Sequence, residues 1–184
     1  GMSQKMGLKV NLVDCITRHY NTEQTLAEVK KFAPDYIMAE ITTPTCYEDY
    51  KVIRAIKKTN PNVKIIIGGT HATALPQQVM EECPEIDILV RGEYDFTIPE
   101  IAQGKALAEI AGISYRNDNE IIHNKDREYQ EDLDELPMVS KVYQQFLDVN
   151  DYCYAFAQKP MIQIFSARGC PYRCNFCSYP ETMG

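Results

Sequence analysis

Four short apolar runs recur between amphipathic stretches over residues 8 to 103: LKVNLVD (8–14), DYIMAEIT (35–42), VKIIIGG (63–69) and IDILVRG (86–92). Runs this apolar fit strands covered on both faces, as in a parallel sheet under helices, better than an antiparallel sheet with one wet face. Their alternation with helical patterns is that of βα units, which places the chain in the α/β class. The spacing predicts helices over 22–33, with Thr22 as N-cap; over 46–59, with Val52, Ile53 and Ile56 facing inward and Pro61 beyond the end; over 74–83, with Pro76 in the first turn; and over 96–103. Right-handed crossovers would stack these helices on both sides of the sheet, and a ligand would sit at the C-terminal ends of the strands.

After Gly104 the pattern changes. GISYRNDNEIIH (112–123) alternates around Asn117, Asp118 and Asn119 and predicts a β-hairpin that extends or caps the sheet. NKDREYQEDLDELPMVS (124–140) is charged and carries Pro137, so it reads as a surface linker, followed by a short helix over 140–147 and an apolar strand, MIQIFSA, over 161–167. The expected organisation is a Rossmann-like (flavodoxin-like) α/β domain with its hairpin over 8–123, a linker over 124–160, and the beginning of a second domain over 161–184. A net charge of −7 and a pI near 5.0 argue against a general nucleic-acid surface, which needs clustered Lys and Arg. No apolar run approaches the roughly 20 residues that cross a bilayer, and GMSQKMG has no apolar leader. Seven cysteines, four scattered singly (Cys15, Cys46, Cys83, Cys153) and three in a tight group, do not form a disulfide framework, so a reducing cytoplasm fits best.

The tight group lies in SARGCPYRCNFCSYP (166–180), where Cys170, Cys174 and Cys177 stand at i, i+4 and i+7. Three thiolates on one loop can converge on a cubane iron–sulfur cluster and leave one iron without a protein ligand, open for chemistry. A zinc site completed by Cys153 or by a residue beyond 184 is the alternative, as are three unrelated thiols. Zinc sites usually pair one CxxC with a second pair of Cys or His, absent here. Gly169 and Pro171 suit a tightly wrapped loop. Arg168 and Arg173 either offset the negative charge of a cluster or are simply solvated.

CPYRCNFC, preceded by SARG and an apolar strand, resembles the CxxxCxxC signature of radical S-adenosylmethionine enzymes. The resemblance implies that Cys170, Cys174 and Cys177 hold a [4Fe-4S] cluster whose open iron chelates S-adenosylmethionine, reduced by a donor such as flavodoxin or ferredoxin to give a 5′-deoxyadenosyl radical. Phe176 then occupies the aromatic position near the adenine. Upstream, FAPDYIMAEITTPTCYE, IIIGGTHATALPQQV, IDILVRGEYDFTIPEI and GISYR with EDLDELP resemble, in order and spacing over about residues 8 to 140, the cobalamin-binding domain that precedes the radical barrel in one branch of that superfamily.

That likeness implies a corrinoid across the C-terminal edge of the sheet, its nucleotide tail passing close to backbone. Gly68 and Gly69 end one strand without a Cβ, and Thr42 and Thr43 end the preceding one with hydroxyls. Thr70 and His71 follow on the next loop, His71 reading as a residue of the loop or helix start rather than a cobalt ligand. Arg91, Gly92 and Glu93 close the last strand at the same edge, lining the pocket or shaping the turn. The DxHxxG loop of well-known cobalamin carriers is absent, since Asp14 and His19 have the wrong spacing, so cobalamin is expected without a histidine on cobalt. Relatives begin with a further strand and helix before 8–14, and a missing central strand would weaken corrinoid binding. A complete (β/α)8 barrel needs on the order of 250 residues, so the chain is expected to be an N-terminal piece of a longer enzyme, its partners the rest of its own barrel and an unknown substrate. The alternative is a Rossmann-like docking module that binds no cobalamin; a dinucleotide oxidoreductase lacks support because no GxGxxG follows the first run.

Overall fold

The computed structural model describes residues 1–118, 120–153, 156, 158–165 and 167–179. A single turn, α1 (Met2–Lys5), precedes α2 (Thr22–Phe32), and then come β1 (Tyr36–Glu40), α3 (Cys46–Thr59), β2 (Lys64–Gly68), α4 (Thr70–Ala74), α5 (Pro76–Glu82), β3 (Ile88–Val90), α6 (Thr97–Ala102), β4 (Ile113–Asn117), β5 (Glu120–His123) and α7 (Val139–Phe146). The five strands form one sheet in the order β1-β2-β3-β4-β5. β1, β2 and β3 run parallel, whereas β4 and β5 add an antiparallel hairpin to the β3 edge, with Val90 opposite Ile113 and Tyr115 opposite Ile122. The expected hairpin thus extends the sheet, turning at Asp118 with φ of 52°.

Strand alternation divides the core between the two faces. Ile65, Ile67 and Leu89 meet Cys46, Tyr50, Ile53 and Ile56 of α3 and Val79 and Met80 of α5. Those α3 residues recur every three or four positions and so share one helix face. Ile66, Ile88 and Val90 point the other way and pack with Ile101 of α6, Ile110, Ile113 and Tyr115. Each such fully buried side chain stabilises the fold by about 1.5–3 kcal/mol before entropy is counted. Pro76 occupies the first turn of α5 as its fixed φ predicts. Asn21, not Thr22, caps α2: its side chain accepts from the Gln24 N–H at 2.9 Å while Gln24 Oε1 accepts from the Asn21 N–H at 2.9 Å, a reciprocal capping box.

Two expected strands do not form. Residues 8–14 run without strand pairing, and Leu12 is 39% exposed. This stretch lies beside α2 and α7, lining a cavity of about 420 Å³ with Glu28, Lys31, Gln145 and Phe146. Its end is pinned instead by Asp14, which accepts from the Thr17 N–H at 2.9 Å and from the Tyr152 hydroxyl at 2.7 Å. An apolar run becomes a strand only where a neighbour completes its ladder, and among the described residues β1 is paired with β2 alone. Residues 161–165 and Ala167 also have no strand pairing, with Ile164 62% and Phe165 77% exposed, for the same reason; Ser166 lies outside the described residues. Asn119 and residues 180–184 likewise fall outside them.

Candidate cofactor-binding edge

The parallel strands deliver three loops to one edge. The first, after β1, carries Thr42 and Thr43; the second, after β2, is Gly69 leading at once into α4, which carries Thr70, His71 and Thr73; the third, after β3, carries Gly92, Glu93, Tyr94 and Asp95. They are joined through their side chains. Thr43 Oγ1 lies 3.1 Å from His71 Nδ1, binding the first loop to the second. The Gly92 N–H donates to Thr73 Oγ1 at 3.0 Å, binding the third to the second. The Tyr94 hydroxyl donates to Glu40 Oε1 at the end of β1, closing the circuit. Burial, followed by the neighbouring Glu40 carboxylate, pushes the Tyr94 phenol well above its ordinary range, so it stays a donor.

Gly69 is where the backbone comes closest. With φ of 98° and ψ of 177°, it occupies a conformation open only to glycine, and a Cβ there would stand 2.9 Å from the Ile41 carbonyl oxygen. A Cβ on Gly68 would meet the Met38 Cε at 2.9 Å and the Tyr94 ring at 3.4 Å, so that space is filled by side chains. His71 is 6% exposed, and its Nε2 is buried with no hydrogen-bond partner among the described residues. An unpaired buried nitrogen costs about 1–3 kcal/mol, and its presence beside two threonine-bearing loops fits a polar ligand group at this edge. Thr42 is bonded to Thr45 Oγ1 at 3.0 Å, and Thr70 is exposed.

Arg91 turns away from the edge. Its guanidinium donates to the Ile113 carbonyl at 2.8 Å, Ser114 Oγ at 2.6 Å and the Asn124 carbonyl, and pairs with Asp126 at 2.9 Å, fastening the hairpin and the segment after it to β3. Glu93 is 12% exposed at its side chain and pairs with Arg168 at 3.1 Å.

Cys170, Cys174 and Cys177 are exposed, free thiols on one loop, with the Cys177 N–H donating to the Cys174 carbonyl at 3.0 Å. Phe176 is 93% exposed. Among the described residues no three His, Cys, Asp or Glu side chains are gathered closely enough to hold a metal ion, so the sulfurs share a loop without converging on one point. Three free thiols within eight residues nevertheless match in softness and number what an iron–sulfur cluster requires. Sequence reasoning missed Glu40, Thr73, Tyr94 and Asp95; the tyrosine and two acids of RGEYDF, directly after an apolar run, were the available signal.

Residues 1–102 match the model of the B12 binding domain family, and the chain belongs to that family. It is 32% identical over 179 residues to an uncharacterized methyltransferase of Pyrococcus horikoshii, covering 95% of this chain and 38% of that protein. It is 29% identical over 177 residues to the anaerobic magnesium-protoporphyrin IX monomethyl ester cyclase of Rubrivivax gelatinosus, covering 92% of this chain and 31% of that one. The chain therefore spans about a third of the length of these relatives. In fold it resembles the radical S-adenosylmethionine methyltransferase TsrM from Kitasatospora setae, solved with cobalamin and a [4Fe-4S] cluster bound, with a TM-score of 0.68 at 17% identity over 98% of this chain and 37% of that one.

Proposed function

We propose that this chain is the cobalamin-binding and cluster-bearing portion of a cobalamin-dependent radical S-adenosylmethionine enzyme. The observation that carries the reading is the tie from the CxxxCxxC segment to the edge of a B12-family domain: Arg168, just before Cys170, is paired with Glu93 and Asp95 in the loop after β3. Cobalamin would be held at that edge by Thr42, Thr43, Thr70 and His71, with Gly69 and Gly92 turning the backbone at positive φ, Gly68 leaving room for the Met38 and Tyr94 side chains that pack beneath the edge, and no histidine from this chain on cobalt. Arg91 and Glu93 would shape the wall through the contacts described above. Cys170, Cys174 and Cys177 would hold the cluster, and Phe176 would pack near the adenine of S-adenosylmethionine.

The bound cofactors supply the methyl-transfer and radical chemistry; the chain binds and orients them. Methyl transfer to an unactivated carbon or phosphorus centre, or an oxidative cyclisation, is the outcome for the whole protein, on a substrate held by the rest of its own barrel, with a flavodoxin or ferredoxin as electron donor. A cytoplasmic setting suits the free thiols. Among the described residues no helix is long and apolar enough to cross a membrane.

The test is an anaerobic hydroxocobalamin titration of the full-length protein, followed in the visible spectrum, beside the iron content of Cys170→Ala. Saturable binding with a base-off spectrum and loss of iron in the variant are expected. No spectral change in a folded, cluster-loaded protein would reduce the domain to a scaffold, and full iron content in Cys170→Ala would refute the cluster assignment.

A further inference from the structure

Arg168 stands at the root of the cysteine loop, two residues before Cys170. Its Nη1 lies 3.1 Å from Glu93 Oε1 and 2.7 Å from Asp95 Oδ2. The three side chains are 33%, 12% and 31% exposed, so this is a half-buried contact shielded in part from solvent screening. Both carboxylates sit in the loop after β3, on either side of Tyr94, whose hydroxyl is bonded to a third carboxylate, Glu40. That loop is in turn fixed to α4 by the Gly92 N–H, which donates to Thr73 Oγ1. The acidic pair is thus anchored to the edge, while the segment 161–165 that leads to Arg168 has no strand pairing to hold it.

We propose that Arg168 is a positioning residue that seats the cysteine loop on the cobalamin edge, with Glu93 and Asp95 as its receiving clamp. The proposal rests on the reading above, in which that edge holds the corrinoid. Arginine suits this role because the single Nη1 that faces both carboxylates carries two N–H donors, and the guanidinium stays charged and is less strongly hydrated than the ammonium of a lysine. Its charge is already compensated by the two acids, which leaves little role for it in offsetting the charge of a cluster. Arginine is also no iron ligand, so removing it separates where the loop sits from whether the cluster assembles.

The test uses the full-length protein as wild type, Arg168→Ala, Arg168→Lys, the pair Glu93→Gln with Asp95→Asn, and that pair combined with Arg168→Ala. Before cofactor loading, hydrogen exchange at the Gly92 N–H, which is bonded to Thr73 Oγ1 at the base of the receiving loop, should rise about tenfold in Arg168→Ala, the loss expected for a charge-assisted contact, and by a similar factor in the acid pair. The combined variant should be no faster than either parent, because both remove the same interaction. Iron content after reconstitution should match wild type throughout. In the cobalamin-loaded, reduced protein, the magnetic interaction between cob(II)alamin and the cluster should weaken and broaden in Arg168→Ala and recover in part in Arg168→Lys, a signature that a merely structural role would not move. Exchange indistinguishable from wild type, additive effects in the combined variant, or an unaltered magnetic interaction in Arg168→Ala would each overturn the proposal. Should wild type fail to bind hydroxocobalamin, the functional reading falls, and the clamp is judged by the exchange data alone.

Discussion

Replacing Gly69 by alanine should be among the most damaging single-methyl additions at the cofactor edge. The residue sits at φ 98° and ψ 177°, a region that costs a side-chain-bearing residue about 1–3 kcal/mol. The added Cβ would also stand 2.9 Å from the Ile41 carbonyl oxygen and 3.3 Å from the Ile41 nitrogen, which are backbone atoms and cannot swing aside. The Ile41 N–H donates to the Gly68 carbonyl at 3.0 Å, the last bond joining β1 to β2, so relieving the clash loosens it at a further cost of about 1 kcal/mol. Together these give a destabilisation of about 3 kcal/mol, a large fraction of the roughly 5–15 kcal/mol typical of a domain. Gly68→Ala is the internal comparison. Its Cβ would meet the Met38 Cε, the tip of a flexible thioether, at 2.9 Å, and Met38 can turn away for about 1 kcal/mol. Urea denaturation of both variants under one set of conditions measures the difference through the midpoint shift. Equal costs, or a Gly69→Ala variant as stable as wild type, would refute the reasoning.

Asp87 accepts from the Ile65 N–H at 2.8 Å and pairs with Lys57 at 2.7 Å and Lys64 at 3.0 Å; burial alone would raise its pKa, but these partners outweigh burial and hold it below the usual carboxylate value. A lowered folded pKa adds stability above the unfolded value of about 3.9, and that stability is lost as pH falls through the folded value; Asp87→Asn should therefore cost about 2 kcal/mol at pH 7 and much less in acid, as urea melts at both pH values would show. Burial, then the bond to Glu85, pushes the Cys83 thiol up to about 12, so anaerobic alkylation of the cluster-free protein should modify Cys153, Cys170, Cys174 and Cys177 quickly and Cys83 only on unfolding. Cluster loading should then protect the triplet and leave Cys153 reactive, which peptide mass spectrometry resolves. Thr43→Val removes the partner of His71 Nδ1 and should weaken hydroxocobalamin binding about tenfold, read from the same visible titration.

Much of the scaffold was legible because its signals are local. The apolar runs at 35–42, 63–69 and 86–92 carry their strand character in their own composition, and α3 announces itself by the spacing of Tyr50, Ile53 and Ile56. The run at 8–14 shows where this stops: its residues suit a strand, but strand formation depends on a neighbour, and no window of sequence reports one. The cysteine triplet was legible as a donor set because three soft ligands at short spacing are a local feature too. Arg91 and Arg168 were not separable by sequence, since both follow apolar runs; the structure gives one to the hairpin and the other to the acids of the β3 loop.

The sequence by itself determined the α/β class, the cysteine set and the three apolar runs that become the parallel strands, since periodicity and spacing act over a few residues. Only the tertiary structure decided that Thr43 meets His71, that Thr73 meets Gly92, that Tyr94 reaches Glu40 and that Arg168 lands between Glu93 and Asp95. Those contacts join positions between 19 and 75 residues apart; the first three exist because parallel crossovers return the ends of β1, β2 and β3 to the same edge, and the last because the cysteine segment folds back onto that edge.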